Sequence, residues 1–281
     1  IHQSIYQQTV FLTKNLEIDI GGNHIIKNIK ALYFSGNFLK VSDSQKWIKT
    51  ADGLLKKELG KQILKDGFHF ELSPSYHCQV LEDLLECYCL IDNNSLKQTL
   101  EEKIDQMIKV VESFTHPDNE ISLFNDGGLK MARAPRSLLK AYYQIFPNKK
   151  PGKFKASFES AGYYIMKNKL YHFIYDSGRV GPDELPAHSH GDIFSFELSI
   201  KKQRVVVDQG VFEYDNTHKR KISRSTPAHN TVSIDGFDQC EFWSSFRMAS
   251  RAKVKINKLY QNEQSLFIDS SHNGFSRLDG K

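Results

Sequence analysis

The stretch Pro186–Ile234 reads PAHSHGDIFSFELSIKKQRVVVDQGVFEYDNTHKRKISRSTPAHNTVSI, and its pattern decides how the second half of the chain folds. Phe194, Phe196, Leu198 and Ile200 alternate with Ser195, Glu197 and Ser199, the period-two signature of a strand with one buried face. The run Arg204–Val207 follows after a short polar break, so the two segments predict an antiparallel hairpin. Histidines and aspartates crowd around these apolar runs. His188 and His190 stand two apart and share a face of an extended chain. With Asp208 and His229 they form a set of nitrogen and oxygen donors for a divalent metal, zinc by ligand type. Ordinary hydrogen-bonded histidines are the alternative. A plain hairpin leaves Asp208 more than ~12 Å from His190 unless Gly191-Asp192 bends the chain.

Working outward, Phe158–Met166, Leu170–Tyr175, Thr231–Ile234, Ala252–Ile256 and Leu266–Ile268 are further strand candidates, which predicts an antiparallel β-sandwich. Upstream of Pro147–Gly152, read as a linker, the period changes to that of helices. Asn23–Leu39 and Leu54–Lys65 are amphipathic, and Leu100, Ile104, Met107, Ile108, Val111 and Phe114 form the clearest stripe. Ser73-Pro74 reads as an N-cap with Pro at the first helical position of a helix running to about Ile91. A short helix is expected over Ser137–Ile145. The chain thus divides into a helical part, 1–150, and a β part, 151–281.

The 281 residues are 40% apolar and 25% charged, the composition of a globular protein rather than a disordered one. No apolar run approaches the ~20 residues a membrane span needs. The net charge of +5 comes without a dense basic tract, which argues against nucleic acid and suits an anionic substrate. The cysteines Cys78, Cys87, Cys89 and Cys240 form no CxxC pair, so neither a zinc finger nor a disulfide framework is expected.

Three more constellations carry chemistry. In ELSPSYH, Tyr76 falls in the first turn of its helix, where the N-terminal field favours negative charge and can make a phenol an acid or base; simple packing is the alternative. In GGNHI, Asn23 can cap a helix or, with His24, serve a site. The loop His218–Arg224 is basic, and Arg220 and Arg224 are either a solvated face or forks for an anion.

Taken together, GGNHIIKNIKALYFSG (21–36), QILKDGFHFELSPSYHCQVLEDLL (62–85), AHSHGDIFSFEL (187–198), VVDQGVFEY (206–214) and RSTPAHNTVSIDG (224–236) resemble the heparinase II/III-like polysaccharide lyases, in family order. The resemblance implies a multidomain α and β protein: an incomplete (α/α) toroid followed by an antiparallel β-sandwich, cut short at both ends, with the active site between them. It implies eliminative cleavage of a uronate-containing polysaccharide, of heparan, alginate or exopolysaccharide type, and a periplasmic or secreted location, although no signal peptide is visible. The family's asparagine falls on Asn23, its adjacent histidine on His24 and its helix-start tyrosine on Tyr76. The cleft histidine falls on His188, a second tyrosine on Tyr214, and the metal ligands on His190, Asp208 and His229.

Removing the C5 proton beside a uronate carboxylate builds negative charge that Asn23 with His188 or His24 would stabilise. Tyr76 is then the leading base and also the acid for the leaving O4, with His24 a base for the opposite C5 epimer. The metal would be structural, and Arg220 and Arg224 would face the anionic chain. A non-catalytic carbohydrate-binding or scaffold protein is the competing class. A cupin-like metal oxygenase is a third, against which the helical half argues.

Overall fold

The computed structural model describes residues 1–278. Six long helices come first: α1 (His2–Lys14), α2 (Gly22–Leu39), α3 (Ser44–Gln62), α4 (Pro74–Tyr88), α5 (Asn94–Phe114) and α6 (Pro135–Ile145). Helix α5 buries the stripe read from the sequence, Leu100 through Phe114, and starts where Asn93 Oδ1 accepts the Leu96 N–H at 3.2 Å. Helix α4 starts at Pro74, with Ser73 Oγ accepting the Tyr76 N–H at 3.3 Å. Two expectations change. Helix α3 begins at Ser44, well before Leu54, and an additional helix, α1, precedes Asn23; it buries little beyond Thr9 and so carries little periodic signal.

The second half opens with a five-stranded antiparallel sheet in sequential order: β1 (Ser157–Phe158), β2 (Tyr163–Lys167), β3 (Tyr171–Asp176), β4 (Phe196–Ile200) and β5 (Gln203–Val206). Asn168 Oδ1 accepts the N–H groups of Leu170 and Tyr171 and shapes the β2–β3 turn. The expected strand Phe158–Met166 is therefore two strands separated by a turn. A short helix, α7 (His218–Arg224), occupies the basic loop. Two small hairpins follow, β6 (Phe242–Ser244) with β7 (Arg247–Met248), and β8 (Val254–Gln261) with β9 (Leu266–His272). Thr231–Ile234 is not a strand. Its start is held by the Thr231 hydroxyl donating to Ile193 O, and Ile234 forms an isolated bridge to Phe237.

The main apolar core ignores the boundary near 150. Phe158, Tyr163, Ile165 and Ile174 belong to the same buried cluster as Phe68, Leu84 and Phe114, so sheet and helices share one interior. Phe68 stacks on Tyr163 at 5.3 Å and meets Phe114 edge-on at 5.0 Å. His116 joins the layers from the helical side. One ring nitrogen meets Ser199 Oγ and the other Glu197 Oε2, both at 2.7 Å. Among the described residues no helix is long and apolar enough to cross a membrane.

Three buried histidines predict acid sensitivity. Burial pushes His69 down to about 4, and His77 and His172 down to about 3. An unfolded chain takes up these protons from about pH 6.5, whereas the folded one resists. Their contribution to stability is complete above about pH 6.5 and declines as pH falls toward the folded values. The denaturant midpoint should drop steadily between pH 6.5 and 5, above the range where most carboxylates titrate. A midpoint that stays constant over that interval would contradict the neutral assignment.

Candidate active site

Tyr76 occupies the first turn of α4 because Ser73 and Pro74 fix where that helix starts. Ser73 Oγ also donates to Asp126 O at 2.9 Å, tying the helix start to the loop that follows α5. The Tyr76 hydroxyl donates to Tyr214 Oη at 3.2 Å, across 138 residues of sequence. Its ring stacks on His188 with centroids 3.8 Å apart and planes 19° apart. Burial raises the phenol to about 12, with Asp126 and Glu71 adding to the rise and Tyr214 and Arg220 opposing it. Tyr214 is raised further, again chiefly by burial.

Tyr214 reaches this position because the loop after β5 docks on the loop after α5. Val211 N–H donates to Gly127 O at 2.7 Å, and Gly210 sits at φ +66° directly against that carbonyl. A Cβ on Gly210 would lie 2.3 Å from Gly127 O, so only glycine fits this close approach.

His188 lies beside Glu71, a residue to which the sequence reading gave no role. The Glu71 side chain is wholly buried, and one oxygen is in ion-pair contact with His188 Nδ1. The other accepts the Asn23 backbone N–H at 3.1 Å. Burial alone would raise the Glu71 carboxyl, but His188, His69 and the Asn23 N–H bring it below the ordinary range. Asn23 is not the cap of α2, which starts one residue earlier from Gly21. The Glu71 carboxylate sits at that helix start instead, where negative charge is favoured. Asn23 Oδ1 is buried without a hydrogen-bond partner among the described residues. His24 is placed differently: it is exposed and pairs with Glu17 at 3.1 Å.

Arg220 and Arg224 require a correction. The sequence placed them toward an anionic chain, and both are buried instead. Arg220 grips Asp126 with two nitrogens, donates from Nε to Ser245 O at 3.0 Å, and lies 5.1 Å from the Tyr214 ring centre. Arg224 donates to the carbonyls of Ser189, Ser244 and Ser245 at 2.9 to 3.0 Å and lies 4.7 Å from the Phe242 ring centre. Helix α7 turns these two side chains inward, so they brace loops and the ring of Tyr214. His218, Lys219 and Lys221 are the exposed part of the basic run. Asp126, also missed in the sequence, joins Arg220 to His190 Nε2 at 2.7 Å. Burial opposes its charge, but His190 and Arg220 hold the carboxyl down at about 2.

Of the three expected metal ligands, His229 contacts both of the others: its ring lies near that of His190 and its Nδ1 pairs with Asp208. The chain bends after His190, with Phe194 at φ +66°, and the rings of His190 and His229 come to 5.2 Å. His229 Nδ1 meets Asp208 Oδ2 at 2.6 Å, and Asp208 Oδ1 accepts the Gly210 N–H at 2.8 Å. Burial disfavours charge on His229, but Asp208, Asp192 and Asp238 raise it to about 9. Among the described residues, His190 Nδ1 and His229 Nε2 are buried without hydrogen-bond partners, which suits ligation. Asp208 is turned onto His229, and among the described residues no three such side chains form a closed metal-holding group.

This pairing of a helical half with an antiparallel sheet has known counterparts. Heparinase II/III N-terminus matches residues 2–154 and Heparinase II/III-like, C-terminal matches residues 150–281, so the chain belongs to the heparinase II/III-like family. It is 26% identical to a heparin-sulfate lyase of Bacteroides thetaiotaomicron, covering 76% of this chain and 37% of that protein. It is also 26% identical to a heparin-sulfate lyase of Pedobacter heparinus, covering 83% of this chain and 38% of that one. The crystal structure of Heparinase III shares the fold over 86% of this chain and 42% of its own, with TM-score 0.72 and 24% identity. The chain spans about two fifths of the length of these curated relatives.

Proposed function

We propose that this protein is a polysaccharide lyase that cleaves a uronate-containing glycosaminoglycan of heparan type by β-elimination. The observation that carries the proposal is the convergence of Tyr76, Tyr214 and His188 from separate elements onto one spot, with Tyr76 stacked on His188 at 3.8 Å. The heparin-sulfate lyases among its relatives favour the substrate class. In the proposed reaction Tyr76 removes the C5 proton, the C4–O4 bond breaks, and the proton is returned to O4. Asn23 and His188 stabilise the charge that builds on the uronate carboxylate. This reading also takes the helical half as part of an (α/α) toroid and the β half as part of a sandwich, in a secreted or periplasmic protein.

The test is the ultraviolet absorbance of the unsaturated uronate product, followed with a panel of polyuronates. Growth of that absorbance on a heparan-type polymer is the expected result. Binding of polymer with no absorbance change on any member would move the protein to the carbohydrate-binding class.

The same proposal assigns a divalent metal, zinc by donor set, to His190, Asp208 and His229. The two unpartnered imidazole nitrogens support it, and Asp126 on the far nitrogen of His190 would orient that ligand. The metal's chemistry would be structural, a cross-link among three loops that form one wall of the site. Elemental analysis should find about one equivalent in the wild type and far less in His190→Ala. Equal metal in both proteins would remove the site.

A further inference from the structure

Two groups assigned to the substrate carboxylate, Asn23 and His188, sit on elements far apart in sequence, yet both touch the same buried carboxylate. Glu71 Oε1 accepts the Asn23 N–H at 3.1 Å, and Oε2 is in ion-pair contact with His188 Nδ1. A buried carboxylate without partners is strongly unfavourable, so its position is fixed by the groups that satisfy it, and theirs by it. The surroundings are built for this. His69 Nε2 approaches Glu71 at 3.9 Å and meets Gln62 Oε1 at 3.0 Å, while Gln62 Nε2 donates to Gly22 O at 2.9 Å. Gly22, at φ +56°, packs so closely that a Cβ there would lie 2.5 Å from Glu71 Oε1. The start of α2 is thereby shaped around the carboxylate.

We propose that Glu71 is the positioning residue of the cleft, holding the Asn23 helix start and the His188 ring together to receive a substrate carboxylate. This rests on the lyase reading. With Nδ1 engaged by Glu71 and one ring face covered by Tyr76, His188 keeps Nε2 as the nitrogen open to a ligand. The partner on one ring nitrogen sets what the other can do. Glu71 lies five residues before Tyr76 in ELSPSYH, so the segment that supplies the proton-transferring phenol also supplies the carboxylate that orients its neighbours.

The experiment uses Glu71→Gln and Glu71→Asp, alone and combined with His188→Ala, in the intact protein. Glu71→Gln should lower kcat about 10²-fold with a much smaller change in KM, and Glu71→Asp should recover part of that loss. In the His188→Ala background the same substitution should cost clearly less kcat than in the wild type, because one of the two groups it orients is gone and the Asn23 contact remains. Full, independent losses in the two backgrounds would overturn the proposal. Nitrogen NMR of the His188 ring, identified by its disappearance in His188→Ala, gives a readout that needs no turnover. Glu71→Gln should move the Nδ1 resonance, and an unmoved resonance would also overturn the proposal. A wild-type protein inactive on every polymer would defeat the lyase reading, while the NMR result still decides whether Glu71 holds His188.

Discussion

Tyr76→Phe should bind polymer with near wild-type affinity and turn it over at least about 10²-fold more slowly. The substitution removes one oxygen and keeps the ring that stacks on His188 at 3.8 Å, so the wall of the site stays in place. What is lost is the hydroxyl at 3.2 Å from Tyr214, the group assigned to both halves of the proton transfer. Burial holds that phenol at about 12, so it rests protonated at neutral pH. A base with that pKa must first shed its proton, and the fraction that has done so grows about tenfold per pH unit below 12. The wild-type kcat/KM should therefore rise with pH between 7 and 9, as long as the protein stays folded. A profile flat over that range would confine Tyr76 to the role of acid. Unchanged turnover in Tyr76→Phe would remove it from the chemistry altogether, leaving a packed ring.

The helical half was readable because its signals are local. The stripe from Leu100 to Phe114 and the Ser73-Pro74 start each need only one turn or a few turns of chain to be recognised. Long-range placement was not readable in the same way. Nothing in the spacing of Glu71, Asn23 and His188 says that one carboxylate touches the other two residues, since 48 residues separate the first contact. The Asp208–His190 gap estimated from a simple hairpin assumed a straight chain, and the left-handed turn at Phe194 removes that assumption. Asp126 carried no motif at all. A buried charge network leaves little trace in sequence, because the pattern of apolar residues cannot tell a solvated arginine from one turned inward. The run His218–Arg224 shows this well: adjacent basic residues on α7 divide between solvent and interior.

Arg220→Ala separates those two fates by stability rather than activity. A solvated arginine, or one poised for an anionic polymer, changes folding free energy by about 0.5 kcal/mol or less when removed, and its loss appears in polymer affinity. Arg220 has no exposed surface, and its guanidinium is shared among the Asp126 carboxylate, Ser245 O and the faces of Tyr214 and Phe246. Its removal leaves Asp126 buried with His190 as the remaining ring partner, and an uncompensated buried charge costs about 3–5 kcal/mol. For a chain of this size that is a fall in Tm of roughly 5–9 °C. Arg220→Ala combined with Asp126→Asn should be less damaging than the sum of the two single changes, because the carboxylate no longer stands without its arginine. Catalysis should suffer as well, since the guanidinium lies 5.1 Å from the ring centre of Tyr214, but polymer affinity should change little at temperatures where the variant is folded. A variant with wild-type Tm and weakened polymer binding would return Arg220 to the surface role that the sequence suggested.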